Sequence, residues 1–381
     1  MPTPEGCSSR RARLWRHLPA ECDLAIVADP KNLAYFANYA PSPFTFRTND
    51  DVALLVLAPD RATLVGDDMI WPFLDEAHAD EVVAPTWYDG KRSAPHRQKM
   101  LVHTTLDVLK KYPGHRVGFE PGSLPAGVVE GLRQARPGLE LVDLSDAIRD
   151  LRRAKDPDEV EAIRRAIRAG EAGFAAALER VEPGMTEFEA YRLIEDACLA
   201  AAGERAIVYG DFVSGPRADG IIGPPTHRRL QRGDLFILDF SVVLRGYRGD
   251  FANTICVGGA PTPRQRELFE ACLAGMSAGE ALLRPGTAAR DVDAALRHAI
   301  AARGGDPDFQ SHSGHGIGLG HPEPPYIVPD SAETLRAGDV VTLEPGQYIA
   351  GVGNMRFERN YLVTPAGPET LTHHALTLTR G

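Results

Sequence analysis

Two short apolar runs in this chain each end in a carboxylate, and no other pattern constrains its folding as strongly. Leu235-Phe-Ile-Leu238 leads into Asp239, and Val340-Val-Thr-Leu343 leads into Glu344 just before Pro345-Gly346. Short apolar runs bounded by turn residues read as buried strands. A charged carboxylate at the end of a buried strand needs a partner or a cation, because removing it alone from water is costly. After Phe240–Val243, the turn-like stretch Arg245-Gly-Tyr-Arg-Gly249 precedes Asp250, and Phe251–Val257 is again strand-like. The expected hairpin sets Asp239 and Asp250 side by side across two strands. Two carboxylates so placed repel, and a divalent cation relieves the repulsion. Taken alone, Asp250 beside Gly249 also suits a turn.

Further groups of the same character follow. Ser313-Gly-His-Gly-Ile-Gly-Leu319 puts His315 among glycines, where the backbone can come close to a ligand. In Asn354–Val363, alternation with a period of two places Arg356, Glu358 and Asn360 on one face of a strand. One imidazole and four carboxylates make a hard, oxygen-rich donor set. It favours Mn²⁺, Co²⁺ or Zn²⁺ and has room for two ions about 3.5–4 Å apart.

The first part of the chain alternates differently. Asp23–Ala28, Val52–Leu57, Ala62–Val65, Arg116–Phe119 and Leu139–Leu144 read as strands, and Pro95–Lys111 as a helix, with another helix before the last strand. That is an α/β domain, residues 1–152. A charged helix then opens at Asp156-Pro157-Asp158, where Pro and acids suit a helix start. Its apolar positions Val160, Ile163, Ile167, Phe174 and Leu178 form one buried face. Val181-Glu-Pro-Gly-Met-Thr186 and Leu283-Arg-Pro-Gly-Thr287 both close one helix and open another, and Thr186 with Glu189 forms a capping box. This echo points to a duplicated α+β unit in residues 153–381.

Composition narrows the function. A net charge of −10 and a pI near 5.7 make a nucleic-acid surface an unfavourable reading. The five cysteines are odd in number and contain no C-x-x-C pair, which fits a reducing compartment better than a disulfide framework. Met1–Ala20 carries Arg10, Arg11, Arg13 and Arg16 without the apolar core of a signal peptide, and no apolar run is long enough to span a bilayer. The expectation is a cytoplasmic protein that contacts neither membrane nor nucleic acid.

The order Asp239, Asp250, His315, Glu344, Glu358, with gaps of 11, 65, 29 and 14 residues, resembles the pita-bread metallopeptidase family (M24). That family contains methionine aminopeptidase, Xaa-Pro aminopeptidase and prolidase. Asp29-Pro-Lys-Asn32 with Tyr35, and Arg153-Ala-Lys-Asp-Pro-Asp-Glu159, resemble the prolidase and creatinase branch. The resemblance implies a creatinase-like α/β N-terminal domain, then an α+β pita-bread catalytic domain with pseudo-twofold internal duplication. It implies two divalent metals, Mn²⁺ first, with Asp239 on one, His315 and Glu344 on the other, and Asp250 and Glu358 bridging. It further implies a metal-bridging hydroxide that attacks an Xaa-Pro bond, Glu344 as proton shuttle, and Thr254 orienting the bridging Asp250. Arg356 matches a family arginine that either neutralises the carboxylates or contacts substrate. Short proline-containing peptides are the implied substrates and a homodimer the implied assembly; dipeptidase and aminopeptidase both remain open.

Two positions depart from the family pattern. Where the family keeps a substrate-contacting His about 17 residues before the first ligand, this chain has Ile222, within Gly220–Pro225, with His227 five residues later. Seven residues after His315 stands Pro322, flanked by His321 and Glu323. His321 is the expected replacement and His312 a further candidate. The alternative these changes support is a non-peptidase amide hydrolase of the same fold, of creatinase or ectoine-hydrolase type.

Overall fold

Apolar runs and acidic helix starts set the elements, and in the computed structural model, which describes residues 2–19, 21–49, 51–220 and 222–379, they assemble into two compact units. These are Met1–Arg152 and Arg153–Gly381.

In the first unit, α1 (Pro4–His17), β1 (Leu24–Val27), α2 (Pro30–Ala37), β2 (Leu54–Ala58) and β3 (Arg61–Val65) come first. Then follow α3 (Trp71–Asp75), β4 (Glu81–Val83), α4 (Arg97–Leu109), β5 (Arg116–Phe119), α5 (Ala126–Ala135), β6 (Glu140–Asp143) and α6 (Ser145–Leu151). The strands form one mixed sheet in the order β4-β3-β2-β1-β5-β6. β1 through β3 pair antiparallel, while β5 and β6 extend the sheet in parallel. β1 and most of β2 and β3 are wholly buried, as their unbroken apolar runs require. The arginine-rich start of the chain is helix α1, whose Arg10 is buried and donates through Nε to Tyr35 O at 2.7 Å.

The second unit opens with α7 (Pro157–Arg180), capped by a box between Asp156 and Glu159, and α8 (Glu187–Ala202), capped by Thr186 and Glu189. β7 (Ile207–Ser214), β8 (Leu235–Leu244) and β9 (Tyr247–Cys256) follow as an antiparallel sheet in chain order. The same sequence of parts then recurs. α9 (Pro263–Glu280) and α10 (Ala289–Ala302) precede β10 (Gly314–Gly316), β11 (Glu323–Ile327) and β12 (Val340–Leu343). The chain closes with β13 (Gly346–Ile349), β14 (Gly353–Arg356), β15 (Arg359–Thr364) and β16 (Gly367–Thr370). Two helices followed by three strands, twice over, is the duplicated α+β plan. The second sheet has the order β11-β10-β12-β15-β16, and β13 pairs with β14 as a separate ribbon. Helices α9 and α10 cover the second sheet through Leu268, Cys272, Leu296 and Ile300 packed with Val341, Leu343 and Tyr361. No helix among the described residues is long and apolar enough to cross a membrane.

One strand differs from the expectation. Asn354–Val363 is not a single strand: β14 ends at Arg356, β15 begins at Arg359, and the chain changes sheet between them. Phe357 there is fully buried and its N–H donates to Pro345 O at 3.2 Å, so the crossing is pinned by a core side chain.

Candidate metal centre

The β8–β9 hairpin fixes the first carboxylates. Its register pairs Ser241 with Asp250 and Asp239 with Ala252, so the two acids lie diagonally on one face rather than directly opposite. Ser241 fills the place opposite Asp250 and donates to Asp250 Oδ1 at 2.8 Å. On the outer side, β7 approaches β8 so closely at Gly210 that a Cβ would collide with Asp239 O and the Phe240 backbone.

The crossing segment is stitched to β9 by a ladder in which side chains replace backbone groups. Thr254 Oγ1 accepts from Arg356 N at 3.0 Å and donates to Arg356 O at 3.1 Å. Glu358 N donates to Ala252 O at 2.9 Å. The Asn360 side chain accepts from Asp250 N at 3.1 Å and donates to Asp250 O. The interrupted strand thus still directs Arg356, Glu358 and Asn360 to one place, by a route the alternation does not describe. Thr254, expected to orient Asp250, is instead committed to the Arg356 backbone; Ser241 holds the carboxylate.

His315 sits in β10 between β11 and β12. The glycines around it serve that packing: a Cβ at Gly314 would collide with Thr342 O, and one at Gly316 with Pro324 O. They permit close strand approach, which corrects the expectation that they admit a ligand. His315 Nδ1 lies 3.0 Å from Gly316 O, the geometry of an Nδ1–H donor, which leaves the Nε2 lone pair free. That Nε2 is 3.2 Å from Glu344 Oε1 and 3.8 Å from Asp250 Oδ2. Glu344 follows β12 directly, and its Oε1 accepts from Thr342 Oγ1 at 2.9 Å.

The remaining candidates divide. His312 Nε2 is 3.1 Å from Glu344 Oε1, and His321 Nε2 is 2.8 Å from Asp250 Oδ2. Glu323 turns aside to Lys155 Nζ at 2.9 Å and Gly320 N at 3.0 Å. Arg356 pairs with Asp239 through Nη1 and donates from Nε to Tyr348 Oη at 2.8 Å. His227 is exposed with its ring beside Phe188, outside the residues that line the cavity, so the structure leaves it apart from the cluster. Ile222 is 68% exposed and also outside that lining; its neighbour Ile221 lies beyond the described residues.

The electrostatics are those of a carboxylate cluster short of positive charge. Burial, followed by the charges of Asp250 and Glu344, pushes Glu358 well above the usual carboxylate range. Burial also drives Asp239 up to about 7, against the nearby Arg356. Burial opposes ionisation of Asp250 and Glu344 as well, yet facing imidazoles hold both low, Glu344 at about 2. Asp250 Oδ2 and Glu358 Oε1 are buried without an aligned hydrogen bond, despite the nearness of His321 to the former. Asp239, Asp250 and Glu358 bring ligand atoms within 4.8 Å of one another, as do His312, His315 and Glu344, and Asp250, His315 and His321. A buried carboxylate oxygen without a hydrogen bond at Glu358, neighbouring imidazoles and a hard donor set together fit divalent cations. The cluster forms the floor of a cavity of about 460 Å³.

Comparison with known proteins agrees with this chemistry. Residues 161–365 match the model of metallopeptidase family M24, and residues 10–154 match the Creatinase/Prolidase N-terminal domain. The chain is 32% identical to an Xaa-Pro dipeptidase of Pyrococcus horikoshii over 256 residues, 67% of this chain and 72% of that protein. It is 28% identical to an Xaa-Pro dipeptidase of Pyrococcus furiosus over 350 residues, 92% of this chain and 93% of that one. The solved prolidase from Pyrococcus furiosus superposes with a TM-score of 0.77 at 26% identity, covering 96% of this chain and 99% of that chain. The chain therefore belongs to metallopeptidase family M24, with a creatinase-type N-terminal domain ahead of a pita-bread catalytic domain, and it is a metal-dependent hydrolase.

Proposed function

We propose that this protein is an exopeptidase that hydrolyses the Xaa-Pro bond of dipeptides or short peptides, using two divalent cations, Mn²⁺ in the first instance. The observation that carries the reading is the convergence of Asp239, Asp250, His315, Glu344 and Glu358 on a cavity floor, with Glu358 Oε1 buried and without a hydrogen bond and Asp250 Oδ2 met only by imidazoles. Asp239, Asp250, His315, Glu344 and Glu358 would hold the cations. Bound there, the cations supply an acidified water and a Lewis-acid contact for the scissile carbonyl.

The chain's own groups supply the rest. Glu344, steadied by Thr342 and His312, carries a proton to the prolyl nitrogen, which must be protonated to leave. His312 and His321 face the cavity and offer ring N–H donors to the substrate backbone. Arg356, engaged by Asp239 and Tyr348, neutralises the cluster. We assign residues 1–152 to the N-terminal domain and 153–381 to the catalytic domain, and expect a homodimer, which sedimentation checks. The names of the Pyrococcus relatives support the substrate class.

The deciding experiment assays metal-stripped protein with and without Mn²⁺ on Ala-Pro, Ala-Pro-Ala and Ala-Ala. Mn²⁺-dependent cleavage of Ala-Pro alone marks a dipeptidase, and cleavage of both proline peptides an aminopeptidase. Inertness toward all three with metal bound refutes the reading. The exposed Ile222 would then favour a non-peptidase amide hydrolase.

A further inference from the structure

One carboxylate in the cavity belongs to none of the ligand groups. Asp211 lies on β7 directly across from Asp239, on the same face of the sheet. Its carboxylate is thus displaced about one strand spacing, roughly 4.8 Å, from Asp239, on the side away from β9. It lines the cavity together with Tyr209, Pro224 and Asp239, and it is partly buried.

Its partners account for only half of it. Oδ1 accepts the Gly223 N–H at 2.8 Å. Among the described residues Oδ2 accepts no hydrogen bond, and no Lys or Arg forms an ion pair with Asp211. The positive groups whose charge reaches it, Arg356 and His321, are already engaged, Arg356 by Asp239 and Tyr348 and His321 by Asp250. Like charges directly opposite on neighbouring strands destabilise a sheet. Anchoring the Gly223 loop would need only a carbonyl oxygen, which Asn supplies without the repulsion. Burial opposes ionisation of Asp211, so a carboxylate where an amide would serve requires a reason, and a cationic group entering the cavity provides one.

We infer that Asp211 is a specificity-determining residue that receives an ammonium group of the residue preceding the scissile bond. The inference rests on the exopeptidase reading and deepens it. An unblocked substrate offers this chemistry from two sources, its α-ammonium and the side chain of a P1 lysine. Both can lie within a few ångströms of a carboxylate one strand away from the cluster. A charge-assisted hydrogen bond to a partly buried carboxylate changes binding by about tenfold or more.

The test compares wild type with Asp211→Asn, which keeps the acceptor for Gly223 N–H, so an unchanged melting temperature is the control for folding. With Mn²⁺ present, kcat/KM is measured on Ala-Pro, norleucyl-Pro, Lys-Pro and N-propionylproline, the last lacking the α-amine. If the α-ammonium is the ligand, Asp211→Asn lowers all three amines about tenfold relative to N-propionylproline, mainly through KM. If the lysine side chain is the ligand, wild type prefers Lys-Pro to norleucyl-Pro and the variant loses that preference. Equal effects on all four substrates, or none, overturn the inference. Calorimetric titration with lysinamide separates this failure from failure of the peptidase reading. A wild type inert toward every substrate that still binds lysinamide about tenfold better than Asp211→Asn retains the ammonium site and loses only the substrate class. Equal binding by the two proteins sinks it.

Discussion

His374 offers a measurement of burial that is independent of the metal centre. Its ring stacks on Phe174 with centroids 4.5 Å apart and planes 9° from parallel, meets Phe251 edge-on, and is 7% exposed. Neither ring nitrogen has an aligned hydrogen bond. Burial first, and Arg359 second, lower its pKa from 6.5 to about 4. The folded protein thus holds His374 neutral where the unfolded chain would protonate it. The stabilisation is complete above about pH 6.5, shrinks as the pH falls, and is gone below about pH 4. At about 1.4 kcal/mol for each pH unit between those values it comes to about 3.5 kcal/mol in full, of which about 3 kcal/mol is lost by pH 4, where the folded ring is half protonated. His374→Phe keeps the stacked shape and removes the titration. Between pH 7.5 and pH 4, wild type should therefore lose about 3 kcal/mol more than the variant. Urea unfolding at constant ionic strength, on metal-stripped protein, measures the difference. Far-ultraviolet circular dichroism must be the probe, because the three tryptophans, Trp15, Trp71 and Trp87, all belong to the first unit. Parallel stability curves for the two proteins across that window would refute the assignment of His374 as a buried neutral group.

Three other outcomes are expected. Asp239→Ala and Glu358→Ala should each abolish activity and tight Mn²⁺ binding, whereas Glu344→Gln should keep at least one ion while losing turnover, all read by calorimetry beside the Ala-Pro assay. Gly316→Ala sets a methyl group against Pro324 O in a packed sheet and should cost about 1–3 kcal/mol, measured as a shift in urea midpoint. Arg153→Ala strands the fully buried Asp339, which Arg153 Nη2 meets at 2.8 Å, and should cost about 3–5 kcal/mol by the same measurement.

How far the fold could be read from sequence depended on where each signal lay. Asp239 does not end its strand but lies in the middle of β8, where the ladder to β9 carries the chain past it. The strand before Glu344 was legible because an apolar run closing on an acid is a local pattern. The helix start at Asp156 and the capping box at Thr186 were legible for the same reason. Helix α1 was obscured because its arginines include Arg10, whose burial is satisfied by a carbonyl of Tyr35, 25 residues away. The packing role of the glycines beside His315 is not legible in the sequence, because their neighbours, Thr342 and Pro324, are set by strand pairing and not by sequence proximity. Ser241 could have been found, since a tight turn after Leu244 pairs positions 241 and 250 by counting outward. Asp211 could not: β7 and β8 are joined by residues 215–234, and no short turn sets their register. The break at Phe357 was hidden because Arg356, Glu358 and Asn360 converge just as an unbroken strand would place them.

That convergence bears on how the centre acquires its ions. Five hydrogen bonds tie Asp250, Ala252 and Thr254 to Arg356, Glu358 and Asn360, and every one joins protein to protein. The hydrogen bonds beneath Asp250 and Glu358 use backbone groups and the Thr254 and Asn360 side chains, none of them a candidate ligand atom, so a cation is not among their partners. Reconstitution of stripped protein then resembles filling a mould already cast: its rate should follow the exchange of water from the incoming ion, with no slow rearrangement of the chain to await.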